Sequence, residues 1–186
     1  MHRRTLKPQL TSLVWLSRTP RNLPLARFSI EALDLASLRN VRSFASSVVI
    51  RVSSGKILPV STIVCNAFGW SLTDTQYSDD GYELGFQVSP LSHFVLVPKL
   101  LDSTNKDTGR IVLLGSEAHY PKNKNGFNLL GEVLPDDLEE IVRPKEDPKG
   151  EEMSRGFQCY SNSKLANVVF MHSLNKKLNR RALTLT

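Results

Sequence analysis

Apolar residues along this chain alternate between two rhythms, short continuous runs and stretches with a helical repeat of three and four. Phe28 to Leu33 reads as a strand. Asp34-Leu35-Ala36-Ser37 follows, with Ser37 or Asp34 placed to cap a helix. Leu38, Val41, Phe44, Ala45 and Val48 then recur at helical spacing. Thr62-Ile63-Val64-Cys65 is a compact apolar run that suits a strand buried on both faces. A turn at Asp79-Asp80-Gly81 leads into a second helix from about Tyr82 to Leu101, and Arg110 to Gly115 forms the clearest strand. A strong helix is expected from about Tyr160 to Leu178. Strands alternating with helices predict βαβ units around a parallel sheet.

Two segments interrupt the rhythm. Residues 1–27 are basic and are set apart from the domain expected over 28–186. Being rich in Arg and containing Ser and Thr, this segment has the character of a mitochondrial transit peptide. Its apolar stretch from Leu13 to Arg18 also reads as a short strand, which is the simpler reading. Residues 117–159, rich in charge and containing Pro121, Pro135, Pro144 and Pro148, are far longer than the usual connection in an α/β unit. They predict either a lid with a short helix over Asp136–Val142 or a disordered insertion.

Composition narrows the class. The chain has 186 residues, 24 Lys+Arg and 18 Asp+Glu, enough for one domain with a core. The positive excess sits in Arg3, Arg4, Lys7, Arg18, Arg21 and Arg27, and the rest of the chain is balanced. A nucleic-acid binder would spread basic residues along a face or groove, so that partner is not expected. No apolar run approaches the ~20 residues that cross a bilayer, so no integral membrane segment is expected. Cys65 and Cys159 are too few for a disulfide framework or a zinc site. No metal is expected. A reducing intracellular compartment follows, cytoplasmic on the strand reading of the N-terminus and mitochondrial on the transit-peptide reading.

The chemistry centres on Tyr160-Ser161-Asn162-Ser163-Lys164, which sets a phenol and an ammonium at i and i+4 on one helix face. Neither group is a useful acid or base alone near neutral pH. A nearby positive charge favours phenolate and brings the tyrosine towards the working range. Ser116 stands at the carboxyl end of the clearest strand, where open α/β sheets bind ligands, and its hydroxyl can donate to a carbonyl oxygen. Asp34 ends one strand, and Asn66 and Ala67 end another.

In this order, Leu33-Asp34-Leu35-Ala36-Ser37, Val64-Cys65-Asn66-Ala67, Asp80-Gly81-Tyr82-Glu83-Leu84, Gly109-Arg110-Ile111-Val112 and Tyr160 through Asn167 resemble the short-chain dehydrogenase/reductase family over about residues 30–180. The wording is closest to its retinol-dehydrogenase-like members, fungal ones in particular. The resemblance implies a Rossmann-like doubly wound parallel sheet. It also implies hydride transfer between NADP(H), with NAD not excluded, and a carbonyl or secondary alcohol of a small lipophilic substrate. Tyr160 would be the acid/base, Lys164 would lower its pKa and bind the nicotinamide ribose, and Ser116 would orient the substrate oxygen. Asp34 and Leu35 would border the adenine, and Asn66 and Ala67 would line the cofactor groove. Two alternatives stay open: Asp34 as a cap alone and Asn66 as a turn residue alone.

Several positions depart from the family pattern. No glycine precedes Gly55, so the Gly-rich phosphate loop is not found and the sheet is expected to be incomplete, lacking the first βα unit and the C-terminal strands. If Leu13–Arg18 is the family's second strand, Arg18 favours a 2′-phosphate and hence NADP. Ser89 stands where the family has a relay asparagine, and Pro90 beside it should kink the helix. Phe68 puts a large ring where the cofactor would pass. The alternative to an enzyme is a non-catalytic remnant, or a partner that docks on an intact relative through an open sheet. A homo-oligomer is compatible with either.

Overall fold

The computed structural model describes residues 11–13, 31–71, 73–120, 135–145 and 148–184. In chain order the elements are β1 Thr11–Leu13, β2 Ala32–Asp34, α1 Leu38–Ser53, β3 Thr62–Cys65, α2 Leu84–Phe86, α3 Ser92–Leu100, β4 Arg110–Leu113, α4 Glu139–Val142 and α5 Glu152–Thr184. Among the described residues no helix is long and apolar enough to cross a membrane.

Helix α1 starts where the sequence provides a cap. Ser37 has extended backbone, with φ −130° and ψ 108°, and its hydroxyl accepts from Asn40 N–H. The first turn of α1 carries no acid of its own. The acceptor comes from the distant turn at Asp79-Asp80-Gly81: Asp80 Oδ2 accepts from Leu38 N–H at 2.8 Å and from Gln87 Nε2 at 2.8 Å. One carboxylate thus ties the start of α1 to the helix that follows α2. Leu38, Val41, Ala45 and Val48 form the buried stripe of α1; Leu38, Val41 and Val48 each contribute about 1.5–3 kcal/mol by leaving water, and the Ala45 methyl about 0.8. The stripe faces α3, and Leu96, Val97 and Leu100 of α3 join the same core as Ile63, Cys65, Phe170 and Leu174.

Pro90 falls inside the second helix, and the backbone answers with a π turn over Gln87–Leu91 between α2 and α3. Proline has no N–H to give and its ring collides with the carbonyl four residues back. Widening the turn avoids both problems, and Ser92 N–H bonds to Gln87 O, five residues earlier.

β3 and β4 pair in parallel, from Thr62 opposite Arg110 to Cys65 opposite Leu113. The described residues cover this pair on one face only: Ile63 and Cys65 point into the core, whereas Val64 is 60% exposed and Val112 42% exposed. The expectation of a strand buried on both faces is therefore corrected. The helices whose apolar side chains share its core lie on one side. β2 pairs with β1 in antiparallel fashion, Thr11 opposite Asp34 and Leu13 opposite Ala32, in a separate two-stranded sheet. The described part of the N-terminal segment, Thr11–Leu13, runs against β2, which does not fit the family's parallel second strand. Val14 to Arg18 and Phe28 to Ile30 fall outside the described residues, as do residues 121–134 of the long connection.

The last helix exceeds its expected span by two turns at the N-terminal end and runs for 33 residues. Within the long connection, the short helix α4 is confined to Glu139–Val142.

Candidate active site

α5 carries Tyr160 and Lys164 one turn apart, as the spacing predicts. Lys164 is buried, with 3% of its surface exposed, and Nζ donates to Leu114 O at 3.3 Å. That carbonyl lies just past β4, whose pairing with β3 continues through Leu114 N–H to Cys65 O at 3.1 Å. Burial holds the Lys164 ammonium below the usual lysine range. Two residues beyond Leu114, Ser116 caps a short 3₁₀ turn over Glu117–His119, its Oγ accepting from Ala118 N–H at 3.2 Å. This turn packs on α5. The ends of β3 and β4, the Ser116 turn and the Tyr160–Lys164 face of α5 are thereby assembled at one place.

Aromatic rings close over it. Phe68 presents its ring to Tyr160 edge-on, with centroids 5.8 Å apart. Trp70 stacks on the same phenol ring at 5.5 Å and 25°, and meets Phe157 edge-on at 4.7 Å. Lys164 Nζ lies 5.2 Å from the Phe68 ring centroid and 5.4 Å from that of Tyr160, both within cation–π range. The segment bearing Phe68 and Trp70 is seated by glycines. A Cβ on Gly85 would stand 2.8 Å from Gly69 O, and one on Gly156 would overlap the Ser71 carbonyl oxygen. A small cleft beside Trp70, lined by Ser71, Glu83, Gly156 and Tyr160 among others, has room for about one water.

Asn66 is exposed and Ala67 is half-buried against the core, both directly after β3. Asp34 is exposed, and its Oδ1 accepts from Ala36 N–H at 2.9 Å, a turn-forming bond. Leu35 is a core residue at 2% exposure, and its carbonyl accepts from Ser92 Oγ at 2.7 Å. Its side chain is committed to packing. Arg18 lies outside the described residues.

Three features were not foreseen from the sequence. Trp70 and Phe157 are aromatic neighbours of Tyr160; Phe157 could have been found from its place three residues earlier on the same helix, whereas nothing in the sequence links Trp70, ninety residues away, to that site. His93 is buried beside Lys164; burial, then the lysine charge, push its pKa down to about 4. Its Nδ1 has no hydrogen-bond partner among the described residues. At the position of the family's relay asparagine, buried Ser89 accepts from Asn167 Nδ2 at 3.3 Å. An asparagine amide is thus present there, supplied from α5 and not from the π turn. Cys65 is buried with its thiol pushed up to about 12 by desolvation, and is inert at neutral pH.

No family model matches the chain. Among curated proteins, it is 30% identical to a protein named short-chain dehydrogenase iccH from Talaromyces variabilis, over 80% of this chain and 48% of that one. It is 33% identical to the WW domain-containing oxidoreductase of Gallus gallus, over 86% of this chain and 34% of the relative. Short-chain dehydrogenase TIC 32 A, chloroplastic, of Brassica napus is 29% identical over 88% of this chain and 46% of the relative. The chain therefore spans about half, or less, of the length of these relatives. Among solved structures, an uncharacterized protein from Mycobacterium Paratuberculosis superposes with a TM-score of 0.60 at 24% identity, covering 83% of this chain and 46% of that one. That likeness speaks for the fold, a Rossmann-like α/β arrangement of which the described residues form an incomplete part. With relatives named for it aligned over four-fifths or more of its length, the chain belongs to the short-chain dehydrogenase/reductase family.

Proposed function

We propose that the chain carries the catalytic half of an oxidoreductase that interconverts a carbonyl and a secondary alcohol on a small lipophilic substrate, in the cytoplasm. Tyr160 exchanges a proton with the substrate oxygen, Ser116 donates a hydrogen bond to that oxygen, and Lys164 supplies the positive charge that favours phenolate. The observation that carries this reading is the bond from Lys164 Nζ to Leu114 O at 3.3 Å. It fixes the Tyr160 face of α5 to the strand end that bears Ser116.

The hydride of such a reaction belongs to a nicotinamide nucleotide, NADP(H) on our reading. With Phe68 where it stands, that nucleotide does not fit: the ring lies over Lys164 Nζ, and 3% exposure leaves the ammonium out of reach of a ribose hydroxyl. Asn66 and Ala67 remain accessible after β3, while Leu35 is buried and its carbonyl is already bonded to Ser92 Oγ.

Tyr160→Phe tests the proposal. Assayed with a panel of lipophilic ketones in the full protein, the variant should lose turnover by at least about a hundred-fold, with nucleotide affinity within two-fold of wild type. A Phe variant that keeps most of its rate removes Tyr160 from the chemistry.

A second reading, a non-catalytic member of the family that docks on another chain, is favoured by the uncovered outer face of β3 and β4, where Val64 is 60% exposed. Protection against thermal unfolding by a nicotinamide nucleotide separates the two, since only a ligand bound to the folded state raises the midpoint.

A further inference from the structure

We infer that Phe68 is a side-chain gate on Lys164, and that its ring must swing outward before anything can be bound at the Tyr160–Lys164 pair. This rests on the oxidoreductase reading of the site and adds a residue that sets access to it.

The backbone after β3 is seated between two helices at points of glycine contact, Gly69 against Gly85 and Ser71 against Gly156. At Gly85 a Cβ would come within 2.8 Å of Gly69 O, a distance that real Cβ atoms do not show. Such close contacts leave the segment little freedom to lift as a unit. Trp70 is further held between Tyr160 and Phe157. Phe68 is different. It is 47% exposed, so one side of the ring already faces solvent. Its directional contacts at the site are an edge-to-face meeting with Tyr160 and the Lys164 ammonium 5.2 Å from its centroid. Both are weak, directional attractions that a rotation about the side-chain torsions releases without disturbing the backbone.

The ring's position also accounts for an otherwise costly arrangement. An ammonium at 3% exposure has three donors, and Lys164 gives one of them to Leu114 O. The electron-rich ring face compensates part of that desolvation while the site is closed. Opening returns the ammonium to water or to a ligand oxygen. A protein whose binding-competent form is a minor population shows a weaker apparent affinity by that fraction. The two ring contacts together correspond to a penalty of about ten-fold.

The test reads Lys164 directly. The full protein and its Phe68→Ala and Phe68→Leu variants are treated at pH 9 with a small amine-reactive reagent, and the labelling of each lysine is followed by peptide mass spectrometry, with and without NADPH. Lys176 and Lys177, exposed on the same helix, are internal standards for folding and reagent. The expected result is about ten-fold faster labelling of Lys164 in Phe68→Ala, a smaller gain in Phe68→Leu, unchanged standards, and stronger protection by NADPH in the Ala variant than in wild type. Unchanged labelling of Lys164 in both variants overturns the gate. Faster labelling without NADPH protection leaves the gate in place and overturns the oxidoreductase reading.

Discussion

At the scale of single residues, the site owes its character to buried polar groups. His93 is 3% exposed and its pKa is pushed down to about 4, against an ordinary value of 6.5. Lys164 is the charged group that acts on it. Because the folded-state pKa is the lower one, the unfolded chain binds a proton first as the pH falls. His93 therefore costs nothing above about pH 6.5, and stability declines as the pH drops from there towards 4. Between pH 7 and pH 4.5 the loss attributable to this residue is on the order of 2 kcal/mol. Urea unfolding of wild type and His93→Gln at the two pH values checks this: the variant should show a smaller decline by about that amount. Equal declines would mean that His93 is protonated in the folded protein.

At the scale of elements, helix α5 shows how packing overrides local preference. Gly156 lies inside it, and by propensity alone Gly156→Ala should stabilise by about 1 kcal/mol. The added Cβ would overlap the Ser71 carbonyl oxygen, a backbone atom that cannot be turned aside. We expect a net loss of about 2 kcal/mol or more, measured by thermal or urea unfolding. Gly115→Ala, with nothing within 4 Å of its Cβ position and no positive φ, serves as the neutral comparison. The periodic apolar positions that located α1, α3 and the two parallel strands depend on local burial, which sequence records directly. The N-terminal part of α5 did not show, because residues 117–159, rich in charge and proline, read as one long connection. The Tyr160–Lys164 pair was readable because four residues make one helical turn wherever the helix lies. Trp70 and His93 were not, since their relation to that pair arises only from long-range packing.

At the scale of the molecule, the parallel pair β3 and β4 presents Val64 at 60% and Val112 at 42% exposure on its outer face. Apolar strand surface of this kind promotes association. Val64→Thr keeps the β-branched shape while removing apolar surface, and should reduce self-association of the 186-residue chain in light scattering without altering its circular dichroism. Unchanged scattering would place the sticky surface elsewhere. The π turn at Gln87–Leu91 has a different reach. It amounts to one residue spliced into an otherwise regular helix, so the chain on either side of Pro90 keeps helical phase only if one position is skipped in counting. Evolution can therefore add or remove a single residue here while the buried faces before and after it stay aimed at the core. Phe86 before the turn and His93 after it accordingly obey separate registers. Any residue-by-residue comparison with relatives across this helix has to allow for a slip of one.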